Sequence, residues 1–391
     1  MPTGTIAAVS NDAIREIVAP LSPEEFLKTC FEKKPLHLPA PQPHRFDRWL
    51  TLQSFHEVLT GTDAELLKLK CARDDVVDGS VSLQKALDAF RGGSTIVVNH
   101  MHLLWAPLGV ACRHLEAFFY HSFQANVYYT PGLNKGFGPH FDLHDVFVLQ
   151  IHGRKRWRVY APDIELPLAE QQKTVQLDPR TQPVLEATME PGDVLYLPRG
   201  FIHEAAANDA EPTLHVSLGM ISLTWRDALL MAINDAAASH AELRASVPLS
   251  PALSAASDVP AQLEAALAAV AGELRAHTLR LARERFVLTR TALQPQLGTF
   301  VTDNNTRWSR HPLVLTDMRS HDEYVALSFQ GKRLEFPREA AEAITFALGH
   351  DGEYGIADLP GPLDDVNKLR LLRYLHQEGL LLCQSTSTPP S

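Results

Sequence analysis

His140 and Asp142 bring an imidazole and a carboxylate together in the stretch GFGPHFDLHDVFVLQIHGRKRWRVY, residues 136–160. In extended chain successive side chains alternate faces, so this pair points one way and Phe141 the other. One imidazole and one carboxylate aimed at a common point are two of the three ligands of a facial metal triad. The third is expected from a distant strand, and MEPGDVLYLPRGFIHEA supplies His203. There a Pro-Gly-Asp turn starts a strand, and Leu-Pro-Arg-Gly bends the chain before the histidine. An HxD pair alone is a common accident, whereas HxD inside a hairpin with PGDVLYLPRGFIH downstream is a far narrower pattern. Two neutral imidazoles and a carboxylate on one face of iron(II) leave open positions for a co-substrate and O2. Zinc or manganese would accept the same donors, so the triad alone does not establish oxidation.

A second feature bears on the chemistry. A 2-oxoacid such as 2-oxoglutarate chelates iron through one end and leaves a distal carboxylate buried, where it needs a cation. In KRWRVY, alternation puts Lys155, Trp157 and Val159 on one face and Arg156, Arg158 and Tyr160 on the other. Lys155 shares the apolar face and is expected to point inward, with a fixed anionic partner; the alternative is an exposed lysine at a strand end. By the same parity His215 and Ser217 face inward, and His215 supports the metal site from behind its ligands. His144 and His152 read as loop or surface residues, and Trp157 as core.

The elements that must position these groups follow from pattern. Residues 1–60 read as short helices, with SPEEFLKTCFEK capped by Ser22 and stopped by Pro35, and a further helix over LTLQSFHEVLTG. LLKLKCA and STIVVNH read as strands flanking a helix at SLQKALDAF. From Ala125 to Ile221 the signal is all β: ANVYYT, a central hairpin of DVFVLQI and KRWRVY joined by His-Gly-Arg, then VLEATM, DVLYLP and TLHVSLGMI. Short strands between turn residues read as a double-stranded β-helix, or jelly roll. After Trp225 the chain turns Ala-rich and helical, and Leu263, Leu267, Val270, Leu274, His277 and Leu281 form a seam that seeks a partner helix, in this chain or another. The last hundred residues combine strands at DEYVALSF and KRLEFP with helices at REAAEAITFAL and LDDVNKLRLLRYLHQEGLLL, a winged-helix-like arrangement. Its acidic residues outnumber its basic ones, so it reads as a packing or protein-interaction module, with Lys368, Arg370 and Arg373 on a solvated face. The expected architecture is a mainly β catalytic domain over 1–224, a helical dimerisation region over 225–290 and a winged-helix-like domain over 291–391.

Bulk properties agree. A chain of 391 residues with 45% hydrophobic and 21% charged residues can bury more than one core. The net charge of −10 disfavours direct nucleic-acid binding and suits a basic protein partner. The four cysteines, Cys30, Cys71, Cys112 and Cys383, form no CxxC and no disulfide framework. With no secretory signal and no apolar run near the ~18 residues of a membrane span, a soluble cytoplasmic protein is expected.

GFGPHFDLHDVFVLQIHGRKRWRVYAP together with EPGDVLYLPRGFIHEA resembles the JmjC-type ribosomal oxygenases, the 2-oxoglutarate/Fe(II)-dependent ribosomal protein hydroxylases of the cupin superfamily. The resemblance extends to the N-terminal helices, the Ala-rich region and the C-terminal module. It implies that His140, Asp142 and His203 bind iron and carry catalysis, that Lys155 holds the distal carboxylate of 2-oxoglutarate, and that Asn126 lines the co-substrate pocket. It also implies a homodimer through the helical region. Two departures stand out. Some bacterial arginine hydroxylases of this kind have Arg where this chain has Lys155, while the eukaryotic histidine hydroxylases have Lys. On the strand TLHVSLGM, Gly219 stands where a hydroxyl residue often helps hold the distal carboxylate, which makes Ser217 the nearest substitute. The activity implied is hydroxylation of an Arg or His side chain of a ribosomal protein using Fe(II), 2-oxoglutarate and O2, with release of succinate and CO2. The alternatives are a JmjC lysine demethylase, a non-oxidative metal-binding cupin, and a non-catalytic protein on a degenerate barrel.

Overall fold

The structure, a computed structural model, describes residues 12–62, 66–73, 76–79, 81–207, 209–255, 258–289, 302–312 and 314–384. The chain divides into two compact units, residues 9–222 and residues 223–391 with 1–8.

In the unit 9–222 the strands are β1 (Leu36–Leu38), β2 (Lys68–Arg73), β3 (Val76–Asp78), β4 (Thr95–Asn99), β5 (Ser122–Thr130), β6 (Asp145–His152), β7 (Lys155–Tyr160), β8 (Leu185–Met189), β9 (Val194–Leu197), β10 (Ile202–Ala207) and β11 (Thr213–Ile221). They form an eight-stranded sheet, β1-β9-β6-β11-β5-β4-β2-β3, and a three-stranded sheet, β10-β7-β8. The helices are α1 (Asp12–Val18), α2 (Pro23–Thr29), α3 (Leu52–Gly61), α4 (Leu83–Arg91) and α5 (Ala106–Phe119). Ser22, Thr51 and Ser82 start α2, α3 and α4, each side chain accepting from the backbone N–H three residues on.

The long apolar run DVFVLQI is explained by β6, which is buried on both faces. Phe147, Leu149 and Ile151 pack into the main core with Phe26 and Tyr196. Val146 and Val148 face the other way, into a smaller core with Trp157 and Val159 of β7 and Met189 of β8. That second core joins the two sheets, and the catalytic candidates sit beside it. The Pro-Gly-Asp turn ties in β1: Asp193 accepts from the N–H of Ala40 at 2.7 Å and of Glu190 at 3.1 Å, and meets His37 at 3.0 Å.

Several expectations need correction. DVFVLQI and KRWRVY do not pair as a hairpin: β6 pairs with β11 and β9, β7 with β10 and β8. The His-Gly-Arg link instead passes the chain from one sheet to the other, with Gly153 at φ 66° and its α-carbon packed on Pro212. The pattern could not separate the two outcomes, because strand periodicity does not name the partner. Helix α5 went unread, its Pro107 and Gly109 weakening the signal. Helix α2 ends at Thr29, before Pro35 can stop it.

In the unit from Leu223, α6 (Trp225–Ser239) lies along α8 (Val259–Thr289), with α7 (Pro251–Ala255) between them in sequence. Leu263 and Leu267 of the expected seam are 58% and 59% exposed, and the side chains of Leu274, His277 and Leu281 lie outside the described residues. Beyond them β12 (Arg307–Arg310) pairs with β16 (Leu381–Gln384), and β13 (Asp317–Ser320), β14 (Tyr324–Phe329) and β15 (Lys332–Pro337) form a sheet. With α9 (Ala341–Gly349) and α10 (Asp365–Gln377) they enclose a core around Trp308, Tyr354 and Leu372. The expected last helix is shorter than read, since α10 ends at Gln377 and Leu381 and Leu382 of its tail belong to β16. Nor are all its cations free: Lys368 donates to the Leu359 carbonyl at 2.6 Å and Arg373 to Thr302 Oγ1 at 2.5 Å.

At Gly153 a β-carbon would lie 2.4 Å from the Pro212 carbonyl oxygen. Gly153→Ala is expected to cost at least about 1–2 kcal/mol from the left-handed backbone alone, read as a lower urea midpoint with an unchanged slope.

Candidate metal centre and active site

Two backbone hydrogen bonds build the site. His140 N–H donates to the His203 carbonyl at 3.1 Å, and His203 N–H returns to the His140 carbonyl at 2.8 Å. This is an isolated antiparallel bridge rather than a continuous strand. A pair that exchanges both bonds projects its side chains to the same side, about 5.5 Å apart at the α-carbons. The imidazoles therefore lie together, ring centroids 4.4 Å apart. Asp142 is fixed by a third bond, its carbonyl accepting from Gly200 N–H at 3.0 Å, and its Oδ2 lies 3.7 Å from His203 Nε2. One donor atom from each of His140, Asp142 and His203 falls within 4.8 Å of the others.

The ring nitrogens are oriented alike. His140 Nδ1 sits 2.9 Å from the Gly138 carbonyl and His203 Nδ1 3.0 Å from the Phe201 carbonyl. A carbonyl only accepts, so each Nδ1 carries the proton and each Nε2 lone pair is left free as a ligand. Protonation favours the same role. Burial, with repulsion from His140 behind it, pushes His203 down to about 4. Burial alone would raise the Asp142 carboxyl, but His203, His144 and His140 outweigh it and hold it below the usual carboxylate range. Two imidazole Nε2 atoms and a carboxylate form a donor set that fits a divalent first-row metal.

The triad opens on a cavity of about 430 Å³ that also contains Lys155, Trp157, Tyr128, His215 and Ser217. Alternation along β7 holds as expected: Lys155, Trp157 and Val159 are buried, and Lys155 is 4% exposed. The fixed anionic partner expected for Lys155 is not a protein group. Its Nζ donates to Thr130 Oγ1 at 3.0 Å, and among the described residues no carboxylate reaches it. Burial lowers this ammonium to about 7.

His215 is buried, its ring stacked on Tyr128 at 4.8 Å and edge-on to Trp157 at 5.5 Å, with Nδ1 lacking a hydrogen bond. Burial, and then the Lys155 charge, keep it well below the usual imidazole value. Ser217 lines the cavity, opposite Asn126 on β5. Asn126 lines an adjoining cavity instead, its Oδ1 accepting from His100 N–H at 3.0 Å. Tyr128 and Thr130 were missed in the sequence, although alternation from Asn126 places both on the same face of β5. His144 is closer to the site than a surface residue: its ring packs on Gly219, where a β-carbon would lie 2.5 Å away. His152 meets Glu211 at 3.0 Å, away from the triad.

A model of the JmjC domain matches residues 108–228. The "Bifunctional lysine-specific demethylase and histidyl-hydroxylase NO66" of Aedes aegypti is 31% identical over 264 residues, 62% of this chain and 40% of that protein. That of Drosophila persimilis is 29% identical over 218 residues, 54% of this chain and 32% of that protein. "Ribosomal oxygenase 1" of Homo sapiens is 42% identical over 132 residues, 32% of this chain and 20% of that protein. The chain thus spans less than half the length of these curated relatives. Among solved structures, Escherichia coli ycfD superposes with a TM-score of 0.64 at 16% identity, covering 93% of this chain and 99% of that one. The same ribosomal oxygenase with cobalt and 2-oxoglutarate gives 0.60 at 18% identity, covering 94% and 99%. With three metal donors converging beside the joined sheets, residues 108–228 match the JmjC domain, and the chain is similar to the ribosomal oxygenases in sequence and in fold.

Proposed function

We propose that this chain is an Fe(II)- and 2-oxoglutarate-dependent oxygenase that hydroxylates a side chain of a protein, an Arg or His of a ribosomal protein. The observation that carries the reading is Lys155, a buried ammonium with no carboxylate partner among the described residues, in the same cavity as three inward-facing metal donors. Val159 lies opposite His203, and Lys155 is four residues back along the same strand. That backbone offset is roughly 13 Å, which a lysine side chain and a five-carbon dicarboxylate together can span.

His140 Nε2, Asp142 and His203 Nε2 would hold the metal. Bound there, iron(II) supplies the activation of O2 that couples decarboxylation of 2-oxoglutarate to hydroxylation of the target. The protein's own part is placement. Gly138 and Phe201 carbonyls keep the imidazoles oriented, and Thr130 steers the Lys155 ammonium toward the distal carboxylate. The Tyr128–His215–Trp157 stack walls the cavity, and Ser217 is placed to add a hydroxyl. Asn126 contributes from the neighbouring cavity by holding the backbone at His100. The names of the NO66 relatives support demethylation of lysine as a second reading; a product that gains one oxygen, against one that loses a methyl group, separates the two.

The two sheets joined by the Val146–Trp157 core support a double-stranded β-helix, and α9, α10 and the strands around them a winged-helix-like module. We assign the catalytic domain to 1–224, the helical region to 225–290 and that module to 291–391. The exposed Leu263 and Leu267 support a homodimer through the helical region, and four free cysteines suit a reducing cytoplasm. No described helix is long and apolar enough to cross a membrane.

Asp142→Ala and His203→Ala are each expected to abolish succinate formation and divalent-metal binding by calorimetry, while far-UV circular dichroism stays unchanged. Lys155→Ala should raise the KM for 2-oxoglutarate at least tenfold before it lowers kcat; an unchanged KM would remove Lys155 from the role. Because the free ammonium loses its proton as pH rises through about 7, wild-type KM should climb above neutrality by up to about tenfold per pH unit. That climb should vanish in Lys155→Ala.

A further inference from the structure

A second cavity, about 740 Å³, adjoins the first, and Lys70 and Asn99 line both. Its floor is the same face of the large sheet, continued outward from the metal site over β5, β4 and β2. Strand register sets the rows across it. His215 lies opposite Tyr128, Tyr128 opposite Val97, and Val97 opposite Lys70. Two residues along, Ser217 lies opposite Asn126, and Lys68 opposite Asn99. Lys68 and Lys70 are exposed members of a strand whose intervening Leu69 is buried, so both point to the cavity side. Among the described residues neither ammonium is engaged in an ion pair. Among the described residues lining the two cavities, Asp142 is the sole carboxylate, and it belongs to the triad.

The geometry points to this trough as the seat of the polypeptide that flanks the oxidised residue, with Lys68 and Lys70 selecting a target that carries a carboxylate side chain close to that residue. The inference rests on the reading above that the substrate is a protein. The spacing gives the register. From β5 to β2 is two strand steps, about 10 Å, and an extended peptide advances about 3.3 Å per residue. For a target that reaches the cavity wall at Tyr128 of β5, a carboxylate two to four residues away falls over the lysines. The site is open to solvent, so the pair acts by selection rather than by strong binding. Continuity with the reaction cavity distinguishes this face from ordinary surface lysines, since Lys70 borders the chamber into which the target must reach.

The test uses the full chain loaded with Mn(II) and 2-oxoglutarate, and two fluorescein-labelled peptides of otherwise identical sequence centred on histidine. One carries Glu and the other Lys at the second and third positions on both sides. Fluorescence anisotropy should give the Glu peptide the lower Kd by about fivefold, and the Lys68→Glu/Lys70→Glu variant should lose or reverse that preference. Equal affinities, tighter binding of the Lys peptide by wild type, or a Glu preference that survives in the double variant would each overturn the assignment. The 2-oxoglutarate reading is judged separately by the thermal shift that this compound gives the Mn(II) protein. No shift sinks the oxygenase while the peptide preference still decides the trough; a normal shift with no preference sinks the trough alone.

Discussion

The reciprocal backbone bonds between His140 and His203 are the constraint on which the site depends. They join the irregular loop after Gly138 to β10, and so fix the spacing of two ligands that lie far apart in the chain. Side-chain freedom is then removed at Nδ1 of each ring by a carbonyl two residues earlier. A histidine whose ring can swing would spend conformational entropy on every metal capture; here that entropy is lost on folding instead. The support runs outward from there. β10 is held in register by β7, β7 by β8, and the face of β7 toward the large sheet packs on β6 and β9. Loosening any of these contacts reaches the metal donors through the backbone.

Lys155 extends the same logic to charge. A buried ion without a partner is unfavourable by several kcal/mol in general terms, and a protein with no use for it would have placed an apolar residue there. Thr130 supplies one hydrogen bond and Trp157 a ring 6.0 Å from the ammonium, neither of which neutralises it. The lowered proton affinity of Lys155 expresses that imbalance. An incoming dicarboxylate would restore the charged state, so ligand binding and proton uptake are linked through one residue.

Much of this was legible in the chain because the relevant signals are local. Alternation in KRWRVY gave the inward face of β7, Pro-Gly-Asp marked the turn before β9, and Ser22, Thr51 and Ser82 marked helix starts. What pattern could not supply was pairing. Two adjacent apolar segments with a glycine between them look like a hairpin, and only the second core, contributed by four separate strands, sends β6 and β7 into different sheets. The same limit applies to residues that matter through neighbours. Tyr128 gains its meaning from stacking on His215, and His144 from the space left by Gly219. The anion expected beside Lys155 was a demand of electrostatics that alternation could raise; that no carboxylate among the described residues meets it needed the tertiary structure.

The net charge of −10 and the cationic cavity act over different ranges, and the difference has consequences for partner choice. At physiological ionic strength charge is screened beyond about 8 Å, so overall acidity would favour encounter with a basic protein while the final docking would answer only to nearby groups. Among the described residues lining the reaction chamber the ammonium groups are Lys155 and Lys70. A basic partner drawn in by the whole surface would therefore meet a local preference of the opposite sign at the point of chemistry. Two filters of opposite sign would pass fewer sequences than either alone, because on the proposed reading a target would be basic overall and acidic beside the modified residue. Specificity of this kind depends on disfavouring wrong partners as much as on holding the right one, and it needs no deep pocket for the target, which suits a cavity open along one side.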